Sequence, residues 1–250
     1  MLPIVLKLGS LPIYSFGLML VLGILSGGYC LANNLEKAGY DKSLADNIVF
    51  WAALWGIIGA RVFFILSYPQ EFLIDPISML FASAGFVFYG SLIFGAASIY
   101  VILRRQNIPF LQFADLASVP LLIGYAVGRL GCHLSGDGDY GVYSTLPWAV
   151  SYSLGVVPTP AGINVHPTPV YETILAFLSA FLLTRMQCSK SARLPGSFFG
   201  YYLVLSGLAR FLVEFIRIEP IIAWGLTQAQ IISAVLVFAG IALAVRRKAV

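Results

Sequence analysis

Residues 8–35 read LGSLPIYSFGLMLVLGILSGGYCLANNL and hold no charged side chain. A helix that crosses the hydrocarbon core of a bilayer needs about 20 consecutive apolar residues. A helix over residues 16–34 fits inside this run. Outward from it the pattern recurs. Residues 47–68 are apolar except for Arg61, and 76–103 are uncharged, with a helix expected from about Gly85. Residues 116–134 are interrupted only by Arg129 and His133, and 168–184 follow Pro167 and carry Glu172. Residues 195–216 carry Arg210 and Glu214, and 221–245 are uncharged. The reading is an all-α integral membrane protein: a bundle of seven transmembrane helices in one transmembrane domain over 1–250.

The composition excludes the main alternatives. Of 250 residues, 59% are hydrophobic and 10% charged, whereas a soluble domain carries about 25% charged residues. That leaves too little charge to coat a soluble enzyme, and too much apolar content for disorder. A net charge of +4 does not make a basic groove, so no nucleic-acid partner is expected. Only Lys7 precedes the first apolar run and no A-x-A site follows it, so the run is expected to remain as a helix. The absence of an internal repeat speaks against an inverted-repeat transporter.

Orientation follows from the cations. Ten of the fifteen Lys and Arg fall in alternate connections: Lys37 and Lys42; Arg104 and Arg105; Arg185, Lys190 and Arg193; Arg246, Arg247 and Lys248. Basic loops stay inside, which predicts the N-terminus out and the C-terminus in. The connection at 135–167 then lies outside. It has no Lys or Arg, contains Asp137 and Asp139, and is long for a bundle. A structured outer head is expected there.

Ionisable groups inside spans are costly, about 2.5–3.5 kcal/mol for Arg on insertion scales. This chain has Arg61, Arg129 and Arg210 in such places. The predicted topology brings Arg129, Glu172, Arg210 and Glu214 to the outer ends of three helices, at one depth. Arg210 and Glu214 are four apart and share a helix face. Arg217 continues that face and reads as a side chain snorkelling to the headgroups. Arg129 has no carboxylate three or four positions away. Its counter-charge is expected from a lipid phosphate, which a guanidinium matches bidentately, or from a tertiary bridge to Glu172 or Glu214. Residues 128–141 read GRLGCHLSGDGDYG, five glycines in fourteen residues, which lets backbone approach a ligand closely. His133, Asp137 and Asp139 there have metal-ligand chemistry, but no second histidine sits at ligand spacing, and no metal is expected. Cys30, Cys132 and Cys188 form no CxxC or Cys/His zinc pattern. His166 is a candidate base, a role histidine commonly fills, and Pro167 and Pro169 fix the helix entry that carries Tyr171 and Glu172.

Gly128-Arg129-Leu130-Gly131 with its loop to Gly141, HPTPVYE at 166–172 and GLARFLVEFIR at 207–217 resemble the phosphatidylglycerol–prolipoprotein diacylglyceryl transferase family. IYSFGLM at 13–19, GARVFFIL at 59–66 and GFVFYGSLIFG at 85–95 fall in the order of that family, so the resemblance covers essentially the whole chain. It implies a bacterial inner-membrane enzyme with its site toward the outer face. Such an enzyme transfers the diacylglyceryl group of phosphatidylglycerol to the lipobox cysteine of a secreted preprotein, without cofactor or metal. By the same resemblance Arg129 and Arg210 hold the phosphate, with Glu214 as the acid one turn on; beyond it, Glu214 and Glu172 are expected to orient the arginines, and His133 or His166 to serve as base with Asp137 or Asp139 assisting. Arg61, Tyr89, Gly90, Cys132, Ser135, Asp139, Gly141, Tyr171, Glu172 and Ser206 are implied to line the substrates.

Several positions depart from the family pattern. Tyr89 stands where a histidine is usual, Cys132 and Ser135 replace asparagines, and His133 replaces Phe. Asp137 replaces Glu, Phe16 and Ser206 replace tyrosines, and the GDGDYG loop is one residue longer. A tyrosine is a poor base at neutral pH. The alternatives are a paralogous phospholipid-dependent transferase or lipase-like enzyme with another acceptor, and a non-enzymatic lipid transporter or lipoprotein-binding scaffold. The nearly apolar inner halves of the spans oppose a transport path.

Overall fold

The computed structural model describes residues 1–9, 11–81, 87–187 and 194–246. The expected helix start at Gly85, Cys188 and the cations Lys190, Arg193, Arg247 and Lys248 lie outside the described residues. The elements follow the order β1 (Ile4–Leu8), β2 (Leu11–Tyr14), α1 (Ser15–Lys37), α2 (Ser43–Ser67), α3 (Pro69–Ile74), α4 (Pro76–Phe81), α5 (Phe88–Arg105), α6 (Phe110–Ser135), α7 (Thr168–Gln187), α8 (Ser197–Glu214), β3 (Ile221–Ala223), β4 (Leu226–Thr227) and α9 (Gln228–Ala244). The chain is mostly helical, and each apolar run contains one long helix. Four helices, α1, α2, α6 and α7, are long and apolar enough to cross a membrane; α9 is a shorter apolar helix.

The last run begins differently from the sequence expectation. Residues 221–227 are not the start of a span but an antiparallel hairpin of β3 and β4, in which Ala223 faces Leu226. Trp224 and Gly225, at φ 51° and 76°, make the two-residue turn. A turn with positive φ at both central residues normally takes Asn or Gly first, so Trp224 gave no turn signal. α9 then starts at a capping box: the Thr227 hydroxyl accepts from the Gln230 backbone N–H, and the Gln230 side chain accepts from the Thr227 N–H.

The chain divides into two compact units, Met1–Leu31 with Ala114–Val250, and Ala32–Phe113. In the second unit α2 and α5 meet along a seam of small residues. The Ser91 hydroxyl donates to the Gly56 carbonyl at 2.8 Å. A methyl added at Gly90 would collide with the Gly59 carbonyl, and one at Gly59 with the Gly90 carbonyl. Close backbone approach of this kind holds membrane helices together where lipid removes the hydrophobic drive between them. Because the obstacle is backbone, neither helix can yield by a rotamer change. Gly90→Ala should therefore destabilise the protein by about 1–3 kcal/mol. Gly95→Ala, whose methyl would sit 3.4 Å from the Ala52 carbonyl, is the matched control. Equal thermal stability of the two variants in detergent would refute the seam.

In the first unit α6 packs on α7 through Val119, Leu122, Ala126, Ala176, Ala180 and Leu183, with Tyr201, Tyr202 and Leu205 of α8 against them. α8 and α9 are joined closely at Gly200, Gly207 and Gly240. The α8 N-terminus is capped from a distance. Asp115 accepts from the Gly196 N–H at 2.6 Å and the Phe199 N–H at 2.8 Å, which satisfies donors that a helix start leaves open. These contacts set α6, α7 and α8 side by side, and that arrangement positions the charged residues.

Candidate active site

Each functional side chain is delivered by a local feature. α6 carries Arg129 in its last two turns. α7 enters through Thr168 and Pro169 and presents Glu172 just inside. α8 presents Arg210 and Glu214 on one face, and Arg217 follows just beyond its end. Between α6 and α7 the chain makes the head. It turns at Gly136 and Gly138, both at positive φ (60° and 97°), a backbone shape that glycine adopts without cost. Gly141 then docks on the end of α8: Val142 N–H donates to the Ile216 carbonyl at 2.8 Å. A side chain at Gly141 would strike that carbonyl and come within 2.9 Å of the Thr168 methyl. This docking carries Asp139 back over the helices.

The charges close into a ring. Arg129 donates to Glu172 and to Asp139. Arg210 Nη1 is 2.5 Å from Glu172 Oε1, and its Nη2 is 2.9 Å from Glu214 Oε2. Arg217 Nε is 3.4 Å from Glu214 Oε2, and its Nη2 is 2.7 Å from Asp139 Oδ1. Three guanidinium groups and three carboxylates thus alternate around the ring, and a fourth carboxylate, Glu219, pairs with Arg217 Nη2 at 2.8 Å, so the cluster carries one net negative charge. Two carboxylates take a further hydroxyl donor: Tyr125 Oη to Glu172 Oε2 at 3.1 Å, and Thr227 Oγ1 to Glu214 Oε1 at 2.8 Å. The Arg129 guanidinium also lies 5.7 Å from the centre of the Tyr125 ring. Removing charges from water costs several kcal/mol per ion, and pairing recovers this only with full hydrogen bonding. The ring is therefore a positioning device before it is a source of stability.

Burial grades the arginines. The Arg217 side chain is 5% exposed, Arg129 13% and Arg210 27%, while Glu172 and Glu214 are closed off at 2% and 1%. Arg210 is the ring cation most open to a ligand. Arg217 does not snorkel as expected; it is a buried member of the ring, since Asp139 from the head and Glu214 from α8 both reach it. Arg129 finds its counter-charges in Glu172 and Asp139. Burial alone would raise the Asp139 carboxyl, but Arg129 and Arg217 outweigh it and hold the group down at about 2. Asp137, with burial as the largest influence, is pushed above the usual carboxylate range.

The remaining candidates sort by contact. Cys132 Sγ lies 3.5 Å from Arg129 Nη1, and the Ser135 hydroxyl donates to the Cys132 carbonyl at 3.2 Å. His133 Nδ1 is 2.9 Å from Tyr152 Oη, and His166 Nδ1 is 3.1 Å from Tyr171 Oη. Tyrosine hydroxyls, rather than Asp137 or Asp139, orient both rings. Trp148 Nε1 donates to the same Tyr171 oxygen at 2.8 Å. The Ser206 hydroxyl donates to the Tyr202 carbonyl of its own helix at 2.7 Å. Arg61, Tyr89 and Gly90 belong to the second unit, where Arg61 Nη1 donates to the Met79 carbonyl at 3.1 Å. Cys132, Asp137 and Asp139 bring a thiol and two carboxylates within 4.8 Å of one another. Both Asp139 oxygens face arginines, so this group suits guanidinium better than a metal ion.

Tyr125 and Thr227 were not picked out from the sequence. Tyr125 stands four residues before Arg129, the spacing of one helix face, and Thr227-x-x-Gln230 before an apolar run is a capping-box signature. Both signals were present.

Comparison with known proteins finds relatives that match nearly the whole chain. The family model described as prolipoprotein diacylglyceryl transferase matches residues 3–246. A phosphatidylglycerol–prolipoprotein diacylglyceryl transferase of Clostridium tetani is 32% identical over 218 residues, covering 87% of this chain and 86% of the relative. A protein of the same name from Methylobacillus flagellatus is 32% identical over 252 residues, covering 96% and 94%. One from Finegoldia magna is 29% identical over 237 residues, covering 93% and 90%.

Proposed function

Because the chain belongs to the prolipoprotein diacylglyceryl transferase family, we propose that the ring of alternating charges is the site of its transfer reaction. The chain is a transferase. It moves the diacylglyceryl group of phosphatidylglycerol to a prolipoprotein, and the acceptor atom in this reading is the lipobox cysteine sulfur. The observation that carries the assignment is the graded burial of the ring: Arg210 is 27% exposed while Glu172 and Glu214 beneath it are sealed.

The chemistry follows. The lipobox thiol loses its proton to a base, since thiolate is the nucleophile. The sulfur attacks the glyceryl carbon that bears the phosphate oxygen. A C–S bond forms, the C–O bond breaks, and glycerol phosphate leaves with the electron pair. Arg210, with Arg129 behind it, stabilises the charge that grows on the leaving phosphate. Glu172 and Glu214 fix the two guanidinium groups in advance, so no reorganisation is needed as the charge appears. His166 and His133 are the candidate bases. Each has Nδ1 on a tyrosine hydroxyl, which leaves Nε2 for proton exchange. No redox centre or nucleotide enters this scheme.

In the membrane, all seven long helices span. The alternate basic connections lie inside, and the head and ring face outward, in a bacterial cytoplasmic membrane. Both substrates are then available there: an anionic phospholipid by lateral diffusion, and a secreted preprotein at the outer face. The test is purified protein with phosphatidylglycerol labelled in its acyl chains and a lipobox peptide, beside the Cys→Ser peptide. Label is expected on the cysteine peptide alone. Release of glycerol phosphate without labelled peptide would overturn the acceptor, and no turnover beside an active control enzyme would overturn the reaction.

A further inference from the structure

Glu214 is the ring carboxylate most fully sealed from solvent, at 1% side-chain exposure. Two of its contacts are arginines. The third comes from outside the charged set, across the α8–α9 interface: Thr227 Oγ1 at 2.8 Å. Thr227 is itself buried, as is Gln230 one turn on. The same hydroxyl oxygen accepts from the Gln230 backbone N–H at 3.3 Å, and the Gln230 side chain accepts from the Thr227 N–H at 3.0 Å. A hydroxyl has one hydrogen and two lone pairs. Its oxygen is held by the helix cap, so its hydrogen is free to be given to Glu214. The β3–β4 hairpin ends at Thr227 and places it there.

We infer that Thr227 is a positioning residue of the transfer reaction: its hydroxyl, locked by the α9 capping box, sets the Glu214 carboxylate that in turn aims Arg210 and Arg217. The inference rests on the reading of the ring as the transfer site. Glu214 Oε1 is the atom that Thr227 holds, while Oε2 faces both Arg210 and Arg217. Releasing Oε1 lets the carboxylate rotate about its terminal torsion, which is broad; Oε2 then leaves its place beside Arg210 and Arg217, which keep only their other partners, Glu172 for Arg210 and Asp139 and Glu219 for Arg217. Thr227 touches no substrate in this scheme. Its loss should therefore appear in kcat more than in KM for either substrate.

A cap and a donor can be separated by substitution. Serine keeps both. Glycine is tolerated at an N-cap at a cost of only a few tenths of a kcal/mol but offers no hydroxyl. Alanine also offers no hydroxyl, and as an N-cap it costs about 1 kcal/mol. The experiment measures kcat, KM for phosphatidylglycerol, KM for the lipobox peptide and the unfolding midpoint in detergent, using the full chain. T227S is expected to match the native protein. T227G is expected to lose about tenfold in kcat with both KM values nearly unchanged, the scale of one hydrogen bond to a charged group, and to stay folded with an unfolding midpoint lowered by the loss of that buried bond. If T227G fails to fold, T227A is judged by the same kinetic numbers.

Native kcat in T227G, or equal loss in T227S and T227G, overturns the role. So does failure of both T227G and T227A to fold, since a hydroxyl that only positions Glu214 is not needed for folding. E214Q separates the two levels. If E214Q transfers as well as the native protein, the functional reading of Glu214 falls and the inference falls with it. If E214Q is impaired and T227G is not, the inference alone falls.

Discussion

Arg210→Ala is expected to lower kcat/KM by about 10²–10³-fold, the range found when a preorganised charge-stabilising donor is removed. The sign of the ring's charge makes this effect large. With Glu219 counted, the cluster carries one net negative charge; without Arg210 it carries two, at the place where a phosphate must sit. The guanidinium most open to a ligand is also the one lost. Arg210→Lys should recover little. Arg210 engages Glu172 and Glu214 through two different nitrogens, and a single ammonium lacks that fork. Folding should suffer less than activity, because Glu172 keeps Arg129 and Glu214 keeps Arg217. Single-turnover transfer of labelled diacylglyceryl to peptide measures the effect. A rate within about threefold of native, less than 1 kcal/mol in the barrier, would remove Arg210 from the chemistry.

Glu172→Gln should show the converse pattern, with the larger loss in stability. Glu172 is 2% exposed and receives Arg129 from α6, Arg210 from α8 and Tyr125 from α6. Gln is nearly the same size, so no cavity forms. It has one acceptor oxygen in place of two, and its amide hydrogens face guanidinium donors. Two partly desolvated cations then stand side by side with less to hold them apart. Breaking a buried pair in this way costs about 3–5 kcal/mol. The expected readout is a clear drop in the unfolding midpoint in detergent, larger than that of Arg210→Ala. If Glu172→Gln melts with the native protein, the ring does not tie α6, α7 and α8 together.

The two substitutions differ because the ring has two sides. Glu172 and Glu214 are sealed within the helices and hold them in register, whereas Arg210 is partly open. That asymmetry follows from the position of Arg210 on α8, four residues before a carboxylate that packs against α9 through Thr227.

Much of this was legible in the residues. Arg129, Glu172, Arg210 and Glu214 stand out because a charge in an apolar run is expensive and needs a reason. The i,i+4 relation of Arg210 and Glu214 is a local property of one helix. Arg217 was misjudged for the same cause: near a helix end, sequence offers the headgroups as a home for its charge. Only the fold of the head, brought back by Gly136, Gly138 and Gly141, shows that Asp139 and Glu214 take it instead. The hairpin at 221–227 was hidden because Ile, Ile, Ala, Trp and Leu read as membrane helix. Their turn depends on Trp224 adopting a backbone shape that its type seldom takes.

The amino-acid sequence by itself determined the class of the molecule. Charge density and the length of apolar runs are sums over neighbours, and they settle what solvent the chain can face. It also determined which charged residues must find compensation, and the family pattern they form. Only the tertiary structure decided how they are compensated. Pairing across the ring joins residues 43 and 38 positions apart, Arg129 with Glu172 and Glu172 with Arg210. Thr227 reaches Glu214 across a hairpin, and Asp115 caps a helix 81 positions away. Hydrogen bonds and ion pairs act over a few ångströms and carry no trace of chain distance. Such partners are therefore chosen by the packing of helices, through the Gly and Ala seams that let backbones approach.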